Sequence, residues 1–241
     1  MKYAIIAAGE GSRLAKEGVE APKPLVKING ECLLDRLIEI FMQNEAEEII
    51  VICNSMTTLV SQHLAHMQED GLRGRHVPLR FLVKSTPSSM HSMYEISKYL
   101  EGSTFCLTTV DTIFREEEFE QYIKELKRYV EGGNGDGLMA VTDYIDDEKP
   151  LYISTDDEMG ITGFHDTQDG CKIISGGIYG LSDKSITTLR KCIERGESRM
   201  RNFQRALVKD GMKLKAYKFS KILDIDHKED IVKAETFLKG K

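Results

Sequence analysis

The sequence predicts an α/β fold built around a parallel sheet, and three observations carry that prediction. Residues 3–8, Tyr3-Ala4-Ile5-Ile6-Ala7-Ala8, are a short wholly apolar run, the kind buried on both faces of a parallel sheet. Leu33, Leu34, Leu37, Ile38 and Phe41 then recur at helical spacing, and Glu48-Ile49-Ile50-Val51-Ile52-Cys53 is a second apolar run. Strand, loop, helix and strand in that order imply a βαβ unit with a right-handed crossover. Beyond it, short apolar runs and amphipathic stretches keep alternating along the 241 residues.

The loop after the first run has the strongest chemical character. Gly9 and Gly11 let the backbone turn tightly with its N–H groups exposed, so phosphate oxygens can approach where a side chain would obstruct them. Arg13 and Lys23 add a fork donor and a point charge. The two glycines complete neither the dinucleotide fingerprint nor a Walker loop.

Next, Leu25 to Ile28 is extended, and Asn29-Gly30 is a turn. Residues 57–70 read as a helix whose His63 and His66 are expected to be solvated, and residues 79–83 as the third strand. Residues 85–100 begin with turn formers and pass into a helix. Ser88 and Ser89 are its cap candidates, so hydroxyls and N–H groups there can face a ligand. His91 reads equally as a pocket residue or a plain helix-face residue. The strand over residues 104–110 ends at Asp111, on the carboxyl edge where open α/β sheets place ligands. An amphipathic helix follows over residues 116–131.

Residues 131–137, Glu131-Gly132-Gly133-Asn134-Gly135-Asp136-Gly137, read as the most flexible linker, separating residues 1–131 from residues 138–241 within one domain. Strands are expected at 138–142, 151–154 and 160–164. The acidic cluster Asp143, Asp146, Asp147 and Glu148 lacks the EF-hand pattern and reads as a solvated hairpin tip. Gly176 and Gly177 sit inside a strand over residues 172–181, where paired glycines mark a bulge or the close approach of a ligand. Two helices follow, over 183–196 and from Ser198. The basic residues of the second, Arg199 and Arg201, face either a phosphorylated acceptor or solvent. A strand over 214–219 precedes Leu223-Asp224-Ile225-Asp226-His227, which runs into a last helix.

Composition bounds the function. With 41% hydrophobic and 30% charged residues the chain is neither disordered nor membrane-embedded. A net charge of −6 argues against a broad nucleic-acid surface, and no apolar run approaches a membrane span. Five scattered cysteines without a CxxC pair are expected to be reduced and mostly buried. With Met1 leading straight into the first strand, they point to a cytoplasmic protein.

The run Gly9-x-Gly11-Ser12-Arg13-Leu14, then Pro22-Lys23-Pro24-Leu25, Asn29-Gly30 and a Leu33-Leu34 helix start, resembles the signature of the nucleotidyltransferase superfamily. Its sugar-phosphate and phosphocholine-type cytidylyltransferase branches are the nearest in pattern. Asp111 at a strand end, Gly176-Gly177-Ile178-Tyr179, and Asp224-Ile225-Asp226 with Glu229-Asp230-Ile231 extend the resemblance along nearly the whole chain. The resemblance implies a three-layer α/β/α, Rossmann-like and GT-A-like fold, with a mixed, mostly parallel sheet and a smaller β-rich acceptor lobe. It implies transfer of a nucleotidyl group from a nucleoside triphosphate to a sugar 1-phosphate or another small phosphorylated or phosphonate acceptor, with release of pyrophosphate. By the same resemblance Ala7, Ala8, Gly9, Gly11, Ser12, Ser88 and Ser89 line the nucleotide. Arg13 and Lys23 neutralise the phosphates, and Gly176 and Gly177 lie against the acceptor. Asp111, with Asp224 or Asp226, is expected to hold Mg²⁺, a hard ion that shares carboxylates with substrate phosphates.

Departures are also visible. The small glycine usual at the nucleobase segment is replaced by Ser88-Ser89-Met90-His91, and the usual Glu-Lys-Pro is absent before Gly176. Two other readings compete: a phosphate- or nucleotide-sensing domain without catalysis, and a glycosyltransferase. Against the latter, the strand end reads Asp111-Thr112-Ile113 rather than Asp-x-Asp. A homo-oligomer is compatible with the sequence.

Overall fold

A computed structural model describes residues 1–240. The chain runs β1 (Lys2–Ala7), α1 (Ser12–Lys16), a 3₁₀ turn (Lys23–Leu25), β2 (Lys27–Ile28), β3 (Glu31–Cys32), α2 (Leu33–Gln43) and β4 (Glu48–Cys53). It continues with α3 (Thr58–Asp70), β5 (Leu79–Val83), α4 (Ser89–Ser97), β6 (Phe105–Thr109), β7 (Thr112–Ile113) and α5 (Glu116–Leu126), which widens into a π turn at Lys127–Glu131. Then come β8 (Gly137–Thr142), β9 (Tyr152–Thr155), β10 (Ile161–His165), β11 (Ile173–Leu181), α6 (Lys184–Glu194), α7 (Met200–Lys209), β12 (Leu214–Lys218), β13 (Leu223–Asp224) and α8 (Lys228–Lys239).

One mixed sheet joins the two parts of the sequence. Its order is β5-β4-β1-β6-β11-β8-β12. Every neighbouring pair is parallel except those of β11, which opposes both β6 and β8. The β9–β10 hairpin adds to the start of β11. The glycine-rich stretch 131–137 is a pinned turn, not a free linker. The Asn134 N–H donates to Tyr129 O at 2.9 Å, and the Asp136 carboxylate accepts from Lys213 N at 2.9 Å and from Lys184 Nζ at 2.9 Å.

The strand period of two builds the three layers. Tyr3, Ile5 and Ala7 of β1 face the layer formed by α2, α3 and α5. Ala4 and Ile6 face the layer of α4, α6 and α7. The first layer holds an aromatic cluster: Tyr3 stacks on Phe41 at 4.4 Å between centroids, and Phe114 on Phe119 at 4.9 Å. The buried hydroxyls of this cluster find partners, Tyr3 Oη donating to Asn44 O at 2.8 Å and Tyr122 Oη to Leu138 O at 2.7 Å. The five cysteines are free, and burial pushes the thiol of Cys53 up to about 11 and that of Cys106 still higher. Among the described residues no helix is long and apolar enough to cross a membrane.

His63 differs from the solvated residue its helix suggests. Its Nε2 lies 2.5 Å from Asp35 Oδ1, linking α3 to α2, and this hydrogen bond, more than the opposing cost of burial, raises its pKa. A contribution from a histidine whose folded pKa is raised is present in full below its unfolded pKa and is lost as pH rises through the folded value. His63→Gln is therefore expected to lower stability by about 0.5–1 kcal/mol at pH 5.5 and by less at pH 8.5, as read by urea unfolding. A second expectation concerns the register shift in β11 between Ser175 and Tyr179, where Gly177 adopts φ +73°. Gly177→Ala should cost about 1–2 kcal/mol on the same assay, because an L side chain is strained in the left-handed region.

Candidate active site

The site forms where the sheet ends. Parallel neighbours β1 and β6 bring their carboxyl ends side by side, and Val110 N donates to Ile6 O at 3.0 Å, so the glycine loop and Asp111 emerge together. Gly11 sits at φ +62°, and a Cβ there would come within 3.1 Å of Lys23 Cβ. Glycine at this point thus serves the approach of Lys23 as well as the turn. Pro22 and Pro24 flank Lys23 in a 3₁₀ turn closed by Leu25 N to Pro22 O at 2.8 Å, which sets its backbone direction. The pairing of β7 with β13, extended by Ile225 N to Asp111 O at 3.1 Å, then lays the closing segment beside Asp111.

Lys23 Nζ donates to Asp111 Oδ2 and, at 2.8 Å, to Asp226 Oδ1, while Arg13 Nη1 donates to Asp226 Oδ2 at 3.0 Å. The Lys23 side chain is only 11% exposed. Burial alone would lower its pKa, but Asp111 and then Asp226 outweigh this, and the net displacement is upward. Burial conversely favours protonation of Asp226, yet Lys23 and Arg13 hold its carboxyl below the usual range. Asp224 has no cationic partner among the described residues. The protein crowded around it, then Asp111 and Asp226, push its carboxyl well above the usual range. Since the side chain stays open to the cleft and water reaches it, the like charges are the firmer cause.

Two cavities lie on either side of this cluster. One, of about 330 Å³, is lined by Ala8, Gly9, Gly11, Ser88 and Ser89 together with Lys23 and Asp111. The other, of about 540 Å³, is lined by Arg13, Asp224, Asp226, Ser175, Gly176 and the acidic loop after β8. Of the residues expected at the nucleotide, Ala7 and Ser12 lie elsewhere. Ala7 is buried toward α2, and Ser12 is exposed in the first turn of α1. Asp224 and Asp226 both border the same cavity, as positions i and i+2 of extended chain do. Gly176 lines that cavity. Gly177 backs onto Thr112, where a Cβ would meet Oγ1 at 3.3 Å.

Other residues take positions that the sequence leaves open. Ser88 is the N-cap of α4, but its Oγ pairs with His91 Nδ1 at 2.9 Å instead of capping the helix. Arg201 and Arg205 bind Asp166, at 2.6 and 2.7 Å, and do not reach the cavity. The acidic loop is not a free hairpin tip. Asp146, Asp147 and Glu148 line the larger cavity, with Lys233 Nζ 3.0 Å from Asp146 Oδ2 and Arg201 Nη2 donating to Lys149 O at 2.9 Å. His227, which precedes α8, pairs through Nδ1 with Glu17 Oε1 at 2.6 Å and adds to the same wall. Clustered acidic residues were the only sequence signal for this wall. The cations that fold it inward come from α7 and α8.

Among the described residues no three His, Cys, Asp or Glu side chains gather closely enough to ligate one ion. The donors nevertheless suit a hard divalent cation that takes one or two carboxylates and completes its shell with phosphate oxygens and water. The point between Asp111 and Asp226 already holds a cation, the Lys23 ammonium, and Asp224 beside it has none.

The profile of the nucleotidyl transferase family matches residues 2–241. The bifunctional protein GlmU of Methanocaldococcus jannaschii is 24% identical over 249 aligned residues, covering 100% of this chain and 55% of its own, so the chain spans about half the length of that relative. The solved structure of a Bacillus anthracis protein provisionally assigned as a glucose-1-phosphate thymidylyltransferase superposes with a TM-score of 0.83 at 17% identity, over 100% of this chain and 96% of its own. For the CTP:phosphocholine cytidylyltransferase of Streptococcus pneumoniae the TM-score is 0.74 at 18% identity, over 99% of each chain. These two structures share the fold. With the family profile spanning the sheet, the glycine loop and the closing acidic segment alike, the chain belongs to the nucleotidyl transferase family.

Proposed function

We propose that this protein transfers the nucleotidyl group of a nucleoside triphosphate to a small phosphorylated or phosphonate acceptor and releases pyrophosphate, with Mg²⁺ as cofactor. The observation that carries this reading is the Lys23–Asp111–Asp226–Arg13 cluster with a cavity on either side of it, one against the glycine loop and one against the closing segment.

The chemistry joins two anions. An acceptor oxygen attacks the α-phosphorus, a new P–O bond forms, and the bond to the β-phosphate oxygen breaks, its electron pair leaving with pyrophosphate. Such a step needs positioning and charge neutralisation more than proton transfer. Exposed N–H groups of residues 8–11 would hold phosphate oxygens. Lys23, firmly protonated, would leave its carboxylates to meet the phosphates being joined, and Arg13 would hold the departing pyrophosphate. Asp111 with Asp224 or Asp226 would hold Mg²⁺, which when bound supplies positive charge where the phosphoryl oxygens gather.

Pyrophosphate release should appear when CTP, UTP, dTTP, GTP and ATP are crossed against phosphorylated and phosphonate acceptors with Mg²⁺, and should vanish with EDTA. Nucleotide binding without turnover in any combination would favour the sensing role instead. Lys23→Ala and Asp111→Ala should each lower kcat by about a hundredfold or more, the scale of one lost preorganised contact, with circular dichroism close to wild type. Unimpaired turnover in either variant would remove the basis of the assignment.

A further inference from the structure

The glycine loop is held from behind by the neighbouring parallel strand. β1 and β4 run in register with Ala7 opposite Cys53, so Asn54, the first residue beyond β4, stands beside Ala8. Its Nδ2 donates to Ala8 O at 3.3 Å and to Gly9 O at 3.0 Å, and its Oδ1 accepts from Met56 N at 3.1 Å. The two carbonyls can only accept and the Met56 N–H can only donate, which fixes the orientation of the Asn54 amide. Next to it, Ser55 N donates to Ser85 Oγ at 3.2 Å, and the two hydroxyls lie 3.0 Å apart. Asn54 and Ser55 thus tie together two walls of the smaller cavity, residues 8–11 and residues 86–89, without lining it themselves.

A trans peptide unit points its C=O and its N–H in opposite directions. Holding the Ala8 carbonyl toward Asn54 therefore turns the Gly9 N–H away from it, and holding the Gly9 carbonyl does the same for the Glu10 N–H. Ala8, Gly9 and Glu10 line the smaller cavity and Asn54 does not, so both N–H groups are turned to the cavity side. Among the described residues neither N–H has a backbone acceptor. A Cβ at Gly9 would meet no atom within 4 Å, so the space over the loop is open rather than filled by protein. Resting on the nucleotide binding proposed above, we propose that Asn54 is a positioning residue for the triphosphate: its amide fixes the glycine loop with two N–H groups aimed at phosphate oxygens. A loop ordered in advance has less freedom to lose when the ligand arrives, and affinity rises accordingly. Asparagine suits the place because a short side chain here must both donate and accept. Aspartate would set an oxygen against the two carbonyls, and a serine hydroxyl ends short of them.

The test measures binding of inorganic tripolyphosphate, and of CTP, UTP, dTTP, GTP and ATP, to the whole protein by calorimetry with Mg²⁺. Tripolyphosphate has neither base nor sugar, so it reads the phosphate-holding loop by itself. Asn54→Ser keeps a hydroxyl that can accept from Met56 N, as serine does in such turns, but withdraws the donor from both carbonyls. It should raise the Kd of tripolyphosphate and of the tightest-binding nucleotide by about tenfold each, the scale of one hydrogen bond lost. Asn54→Ala, which removes the acceptor as well, should weaken both at least as much. In ¹H–¹⁵N spectra of both variants the Gly9 and Glu10 amide signals should move and broaden, while those of α5, far from the loop in sequence and on the opposite side of Asp111, keep their wild-type positions. Wild-type affinities in either folded variant would overturn the inference and leave nucleotidyl transfer standing. So would weakened binding with the Gly9 and Glu10 signals unmoved. A wild-type protein that binds none of the five nucleotides would instead remove the proposed function, and this inference with it.

Discussion

The site depends on one ammonium group placed between two carboxylates. Asp111 leaves the sheet at the end of β6, and Asp226 follows β13. Both are held where they are by the β7–β13 pairing. Carboxylates this close repel unless a cation stands between them, and Lys23 Nζ does so through two charge-assisted hydrogen bonds. Removing such a charge from water is costly, and the second carboxylate helps to offset that cost. The same ammonium ties the glycine loop's neighbour to the closing segment, so distant parts of the chain are joined through the chemistry itself.

The sheet supplies the rigidity behind this arrangement. Alternation along β1 commits Tyr3, Ile5 and Ala7 to one helical layer and Ala4 and Ile6 to the other, which fixes where the strand ends and the loop begins. Strand β11, which opposes both β6 and β8, carries the register shift at Gly177 and delivers Gly176 to the larger cavity. A Cβ at Gly176 would stand 2.2 Å from Ile222 Cδ1, so the bare backbone there lets the segment before β13 close over the strand. Packing and site construction are the same contact at this position.

The two cavities differ in chemistry as two substrates of one transfer would require. The smaller is bordered by glycine backbone, serine hydroxyls and Lys23, a surface suited to phosphate oxygens. The larger is bordered by carboxylates together with Arg13, His227 and Lys233. Under the proposed function, the ion-pair cluster between them would place both substrates' phosphoryl groups against Arg13 and Lys23 while keeping their other ends apart.

The sequence by itself determined the layered α/β architecture, because apolar runs of strand length alternate with amphipathic stretches and each run can be satisfied only inside a sheet. It also marked the glycine loop, Lys23, Asp111 and the closing acidic segment, because these are local patterns of residue type and spacing. What it left open depends on partners far along the chain. His63 reads as solvated until Asp35 of α2 is placed beside it. The turn at 131–137 reads as a linker until Lys213 and Lys184 are seen to hold Asp136. The acidic loop at 143–148 reads as a hairpin tip until Lys233 of α8 and Arg201 of α7 draw it across the cavity. Tertiary structure alone decided these, because a charged side chain's role is set by whichever opposite charge the fold brings near it, and spacing along the chain does not record that distance.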